Sequence, residues 1–200
     1  MTGISHEELM VQVRGGNVAA FELLFEQYRL PVFNFLFRML NGERGPAEEL
    51  LQEVFVKLYE ARKYYEPSAK FSTWLFTIAR NRCLNYLASR PYRQCRQTLS
   101  LEAMAGEHEG QAETGTDLNL ALQNAHGTQA LGELLERTIT GLPDEYKEVF
   151  ILHAVEGFSH RDVAGILKMN PATVRTNYHR ARTMLREKIG AGLTRKGTKT

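Results

Sequence analysis

Residues 102–128 are dominated by Gly, Ala, Glu, Gln, Thr and His and hold few large apolar side chains, while both flanks are dense in helix starts, helix stops and apolar residues at helical spacing. Such a stretch cannot bury enough surface to offset the entropy of ordering it. It reads as a flexible polar tether, with Leu118, Leu120 and Leu122 leaving room for a short helix within it. Strand patterns are nearly absent, so the expected fold is all-α: two small helical domains joined by a flexible linker. The 200 residues divide into a first domain over 1–92, a linker over 93–129, a second domain over 130–190 and a basic tail over 191–200.

In the first unit, Ser5 to Glu8 forms an S-x-x-E capping box, and Asn17 caps a helix with Phe21, Leu24, Phe25 and Tyr28 on one stripe. A third helix is expected after Pro31. It is crowded with Val32, Phe33, Phe35, Leu36, Phe37, Met39 and Leu40, ends at Asn41-Gly42, and should be central because it is apolar nearly all round. Pro46 then opens a helix with Leu50, Leu51, Val54, Phe55 and Leu58 inward and Glu48, Glu49, Gln52, Glu53 and Lys57 outward. After the loop at Tyr64-Tyr65-Glu66-Pro67, Ser72 or Thr73 is expected to cap a long helix running to about Ala88. Its polar side carries Arg80, Asn81, Arg82 and Asn85, and Lys63, Tyr64, Tyr65, Lys70 and Phe71 precede it. Rings interleaved with cations suit single-stranded nucleic acid, since bases stack on the rings and phosphates meet the charges. Phe71 and Trp74 could equally complete the core, and a mixed role is expected for Trp74.

The second unit opens with helix from Ala130 to Ile139 and a turn at Gly141-Leu142-Pro143. From Leu142 to Lys188 the pattern is a helix-turn-helix. Ser159 and Asp162 start a short helix whose Val163, Ile166 and Leu167 can pack on the next one. Asn170-Pro171 supplies an N-cap and a first-turn proline, so the chain stops at Met169 and restarts. On the last helix Val174, Tyr178, Ala181 and Leu185 form an apolar stripe, and Arg175, His179, Arg182 and Arg186 repeat that rhythm one residue later. A solvated Arg-rich surface helix would show the same charge. The hydrogen-bonding groups of Thr173, Thr176, Asn177 and His179 among the arginines favour base-edge reading instead.

Net charge is only +2, but its distribution is uneven. From Glu102 to Leu131 there is no Lys or Arg; from Pro171 to the end, eight cations from Arg175 to Lys199 face Glu187 alone. The C-terminal end is therefore the electropositive one. No secretory leader pattern and no long apolar run occur, so a soluble cytoplasmic protein is expected. Cys83 and Cys95 lack zinc-type spacing, reduced thiols are the default, and His153 reads as a core or interface residue. No metal or cofactor is expected. An enzyme acting on nucleic acid is disfavoured, since no carboxylate cluster suits two metal ions and no Gly-rich phosphate loop or paired nucleophile and base appears.

The segment AEELLQEVFVKLYEARKYYEPSAKFSTWLFTIARNRCLNYL resembles domain two of the extracytoplasmic-function, or group four, sigma factors of bacterial RNA polymerase. LPDEYKEVFILHAVEGFSHRDVAGILKMNPATVRTNYHRARTMLRE resembles their domain four, and the two occur in the family's order. The resemblance implies a non-enzymatic factor that binds core polymerase, selects promoters and promotes melting. It implies docking of Glu49, Gln52, Glu53 and Lys57 on a coiled coil of the largest subunit, with domain four near the flap region. Minus-ten DNA would meet Lys63, Tyr64, Tyr65, Lys70, Phe71, Ser72, Trp74, Arg80, Asn81, Arg82 and Asn85. Within that set Tyr64, Tyr65, Lys70, Phe71 and Ser72 would receive an extruded base. The minus-thirty-five element would meet Arg175, Thr176, His179 and Arg180 in the groove, and Asn170, Thr173, Arg182 and Arg186 nearer the backbone. An anti-sigma factor is a further expected partner.

This chain departs from the family pattern at Lys168, where a turn glycine is common, and at Asn170-Pro171, which bear on the pitch of the recognition helix, and also at Tyr178 and Asn177; these changes touch promoter choice more than fold. The alternative function is a helix-turn-helix regulator that binds DNA without stable association with core polymerase.

Overall fold

The computed structural model describes residues 4–68, 70–89 and 129–196. Almost all of the expected linker therefore lies outside the described residues. Eight α-helices are described: α1 His6–Arg14, α2 Val18–Met39, α3 Arg44–Ala61, α4 Phe71–Ala88, α5 Gln129–Thr140, α6 Asp144–Phe150, α7 His160–Leu167 and α8 Pro171–Lys196. A 3₁₀ turn at Arg62–Tyr64 follows α3, and a π turn at Ile151–Val155 follows α6. Among the described residues there is no strand, and none of the helices is long and apolar enough to cross a membrane.

Local chemistry sets four of the eight described helix starts. Ser5 and Glu8 close a reciprocal capping box, Asn17 accepts from the Ala20 amide, Ser159 accepts from the Asp162 amide, and Asn170 accepts from the Ala172 amide at 2.8 Å. Two expectations are corrected. The helices expected on either side of Pro31 are one continuous α2. An interior proline costs about 3 kcal/mol; burial of Val32, Phe35, Leu36 and Met39 just beyond it offsets that, at roughly 1.5–3 kcal/mol per large apolar side chain. Nor does Ser72 or Thr73 cap α4. The helix starts at Phe71, whose amide donates to Glu7 Oε1 of α1 at 2.9 Å, so a residue distant in sequence supplies the cap.

In the first unit α2 runs through the middle and packs on α1, α3 and α4. Phe35, Leu36, Val54, Leu58, Leu75 and Phe76 fill the space between them. In the second unit, α6, α7 and α8 close on Val149, Phe150, Val163, Ile166, Val174, Ala181 and Leu185. The two units pack against each other: α7 lies on α4, α5 lies on α2, and one continuous cluster of buried apolar side chains runs through both. Phe76 of α4 meets Phe158 of the second unit edge to face at 5.0 Å. The C-terminal helix extends past the expected start of the basic tail, to Lys196.

Candidate nucleic-acid and polymerase interfaces

The helical period of α3 turns Glu49, Gln52, Glu53, Val56, Lys57 and Glu60 to one side, and with Arg82 of α4 they line an open groove. All four residues expected to dock polymerase lie there, exposed. Val56 is 58% exposed at its middle. The sequence reading missed Val56 and Glu60, although the i, i+4, i+8 spacing of Gln52, Val56 and Glu60 carried the signal. Arg82 Nε donates to Glu53 Oε2 at 3.0 Å and Nη2 reaches the same oxygen, so a residue assigned to DNA is joined to one assigned to polymerase.

The aromatic loop separates into open and closed rings. Tyr64 is 83% exposed on the 3₁₀ turn, beside exposed Lys63. Tyr65 and Phe71 are 2% and 0% exposed. Tyr65 lies 5.1 Å from the Trp74 ring, and Phe71 packs edge to face on Tyr28 at 5.1 Å. Burial, then Glu7, pushes the Tyr65 phenol up to about 12, which keeps it neutral. The expectation that Tyr65 and Phe71 present ring faces to a base is therefore corrected: both are core, and a ring packed on all sides cannot stack on a nucleotide. Trp74 and Ser72 are half-buried at the rim, and Asn81 and Asn85 are exposed one turn apart on α4.

The cations of this surface meet carboxylates. Lys70 Nζ is 2.8 Å from Asp162 Oδ2 of α7, and Arg80 Nε is 3.1 Å from Glu148 Oε2 of α6. The Arg80 and Glu148 side chains are only 17% and 8% exposed. Burial raises the Glu148 carboxyl above its ordinary value, with Arg80 pulling the other way. Burial also pushes Asp162 up, yet hydrogen bonds from Lys70 and Ser159 leave it below the ordinary carboxylate range. Cys83, buried nearby, has its thiol pushed up to about 12 by burial and then by Glu148, so it stays protonated and inert.

The recognition helix α8 buries Val174, Ala181 and Leu185 and turns Thr173, Arg175, Thr176, His179, Arg180 and Arg186 outward, with Asn170 exposed at its cap. Arg182 is half-buried, with its guanidinium over the Tyr178 ring at 5.9 Å. The Thr176 hydroxyl donates to Ala172 O at 3.1 Å, and Arg180 Nη1 lies 3.4 Å from the Tyr146 hydroxyl. Asn177 is buried, so its expected part in base reading is corrected.

The departures at this turn have structural reasons. Lys168 adopts φ 54°, the left-handed conformation that a glycine there would take without strain. Tyr178 fills a niche between Phe150, stacked at 6.1 Å, and His153, edge-on at 4.5 Å. His153 Nδ1–H donates to Phe158 O at 2.7 Å, because a carbonyl can only accept, and its ring lies 3.9 Å from that of His160. Burial, then His153 and Arg175, lowers the His160 pKa. His153 is thus a packing residue, and among the described residues no cluster of three His, Cys, Asp or Glu side chains is arranged to hold a metal.

Comparison with known proteins fits this geometry. The Sigma-70 region 2 model matches residues 24–91, and the Sigma-70 region 4 model matches residues 132–185. The chain is 29% identical over 186 residues to the ECF RNA polymerase sigma-E factor of Haemophilus influenzae, covering 93% of this chain and 96% of that protein. Among solved structures it is similar in fold to CnrH in complex with the cytosolic domain of CnrY, with TM-score 0.65 and 21% identity over 94% of this chain and 99% of that one. It is also similar to the sigma factor RpoE in complex with the anti-sigma factor NepR from Bartonella quintana, with TM-score 0.63 and 20% identity over 85% of this chain and 96% of that one.

Proposed function

We propose how this chain, which belongs to the sigma-70 family as an extracytoplasmic-function sigma factor, divides its work among its surfaces. It is a non-enzymatic initiation factor that directs RNA polymerase to promoters. In our reading the α3 groove, through Glu49, Gln52, Glu53 and Lys57, docks on the polymerase largest subunit, with Val56 as the apolar centre of the contact. Exposed carboxylates around an apolar residue suit a basic helical partner.

The α4 surface takes the non-template strand of the minus-ten element. Tyr64 is the open ring for stacking and Trp74 forms the rim. Lys63, Lys70, Arg80 and Arg82 serve phosphates, and Ser72, Asn81 and Asn85 supply hydrogen bonds. Stacking worth about 1–3 kcal/mol per base can offset the few kcal/mol needed to unstack it, so melting is driven by binding. The α8 surface reads the minus-thirty-five element through Arg175, Thr176, His179 and Arg180, with Asn170, Thr173, Arg182 and Arg186 on its backbone. Domain limits of 1–92 and 130–190, cytoplasmic action and control by an anti-sigma factor belong to the same proposal.

The observation carrying this reading is that an exposed acidic groove on α3 and an exposed arginine stripe on α8 occur in one chain. A regulator acting without polymerase has no need of the groove. The test is reconstitution with sigma-free core polymerase. Start-site selection that is lost in a Glu49→Lys/Glu53→Lys variant supports the proposal, and operator binding with no polymerase dependence overturns it.

A further inference from the structure

We infer that α1 shapes the minus-ten reader: Glu7 and Arg14 hold the two ends of the aromatic loop and so fix where Tyr64, Lys70 and Ser72 meet an extruded base. This rests on the assignment of those three residues to the minus-ten strand. Glu7 Oε1 accepts from the Phe71 amide at 2.9 Å, and Arg14 Nη1 donates to Tyr65 O at 3.4 Å. Tyr64 immediately precedes one anchored residue, and Lys70 and Ser72 flank the other. Glu7 and Arg14 lie seven residues apart on α1, about 10 Å along its axis, so one rigid helix sets the separation of the loop ends. Both are positioning residues, acting on DNA only through the loop.

Both bonds end on backbone atoms of the loop. The Phe71 amide is one of the first four of α4, which have no acceptor within their own helix, and Phe71 is fully buried. Without Glu7 that donor would be left unpaired away from water, at a cost that favours a shift of the loop end. Met10 and Val13, fully buried on the same helix, seat α1 on the core while its polar contacts face the loop. A layer of rings backs this corner. His6 packs edge to face on Tyr28 at 5.1 Å, with the Tyr28 hydroxyl 2.8 Å from His6 Nδ1, and Tyr28 packs in turn on Phe71 at 5.1 Å. Burial, then Glu7 and Tyr65, push the Tyr28 phenol up to about 12, so that ring stays neutral. A binding constellation works only when held within about 0.5 Å of its productive geometry; a loop whose ends can shift keeps its charge but loses its choice of base. α1 packs chiefly on α2, α4 and the 3₁₀ turn and does not line the α3 groove. Its effect is therefore confined to base reading and spares the docking of polymerase.

The test uses holoenzyme reconstituted from core polymerase and the full chain, with a fluorescein-labelled pool of DNA single strands carrying a randomised segment, whose bound fraction is measured and sequenced. Glu7→Ala is expected to lower the enrichment of the preferred base at the most strongly selected position on the order of tenfold, the scale of one well-placed base contact, with unchanged affinity for core polymerase. Glu7→Gln keeps an acceptor oxygen for the Phe71 amide and is expected to retain most of that enrichment. Arg14→Met removes a donor from an exposed residue while keeping its stem. It is expected to give a smaller loss with unchanged helical circular dichroism, and so decides the case in which Glu7→Ala misfolds. A folded Glu7→Ala or Arg14→Met variant with wild-type enrichment overturns the inference. So does a Glu7→Gln variant that loses as much as Glu7→Ala, or a Glu7→Ala variant whose affinity for core polymerase falls equally. Tyr64→Ala/Ser72→Ala in the same assay separates the two claims. If it changes neither the bound fraction nor the enrichment, the minus-ten assignment fails and the inference falls with it; if it lowers them while Glu7→Ala and Arg14→Met do not, the assignment stands and only the positioning fails.

Discussion

On α8 the arginines at 175, 180, 182 and 186 have, among the described residues, no carboxylate partner, whereas on α4 and its loop Lys70, Arg80 and Arg82 are each paired with one. Both surfaces combine cations with short polar groups and rest on a packed apolar stripe. What differs is the neighbour. The outer side of α8 faces solvent, while the cationic side of α4 faces α3 and the second unit. Basic composition alone does not make an accessible polyanion site; the number of cations left without an internal counter-ion does.

The largest expected effect tests that contrast directly. Arg175→Ala is expected to weaken promoter binding by about 1–3 kcal/mol, for the free chain on duplex DNA and for holoenzyme alike. Arg80→Ala should act only in holoenzyme. Electrophoretic mobility shifts in both contexts measure this, and equal loss from Arg80→Ala in the free chain breaks the contrast.

A second prediction concerns pH. Burial pushes the Glu156 carboxyl up to about 7, with Arg38 across the seam opposing. A raised folded-state pKa means that the folded chain holds this proton more tightly than the unfolded chain does. The stability contributed is fully present below the ordinary value of 4.5 and is lost as pH rises towards about 7. Glu156→Gln escapes that loss, so its stability relative to wild type should increase, on the order of 2 kcal/mol, between about pH 5 and pH 8 in urea unfolding. A constant difference at both pH values would show that Glu156 ionises without cost.

Smaller changes sharpen the picture of α8. Lys168→Gly relieves the left-handed backbone strain at φ 54° and should stabilise the chain by about 1 kcal/mol in thermal unfolding. A loss of stability instead would mean that the Lys168 stem contributes packing. Arg186→Ala should weaken binding to every duplex alike and reduce the salt slope by about 0.9. A sequence-dependent effect would move Arg186 from the backbone to the base edges.

Helix caps at Ser5, Asn17, Ser159 and Asn170, the outward placement of Glu49, Gln52, Glu53 and Lys57 on α3 and the two stripes of α8 were legible in the sequence, because each depends on groups within a turn or two of one another. Tyr64 and Tyr65 were not separable. Neighbours in a loop have the same composition, and only the approach of Trp74 and Phe71 makes one of them core. The continuity of α2 through Pro31 escaped for a similar reason, since a local penalty was offset by burial supplied from other helices.

Periodicity and caps therefore determined the all-helical build and the helix-turn-helix, since these follow from short-range interactions written into neighbouring residues, while the two quoted segments carried the family resemblance. Tertiary structure alone decided that Glu7 caps α4, that Asn177 is buried, and that Glu148 and Asp162 meet Arg80 and Lys70. Those partners lie tens of residues apart along the chain, and an ion pair leaves no periodic trace by which sequence could join its two halves.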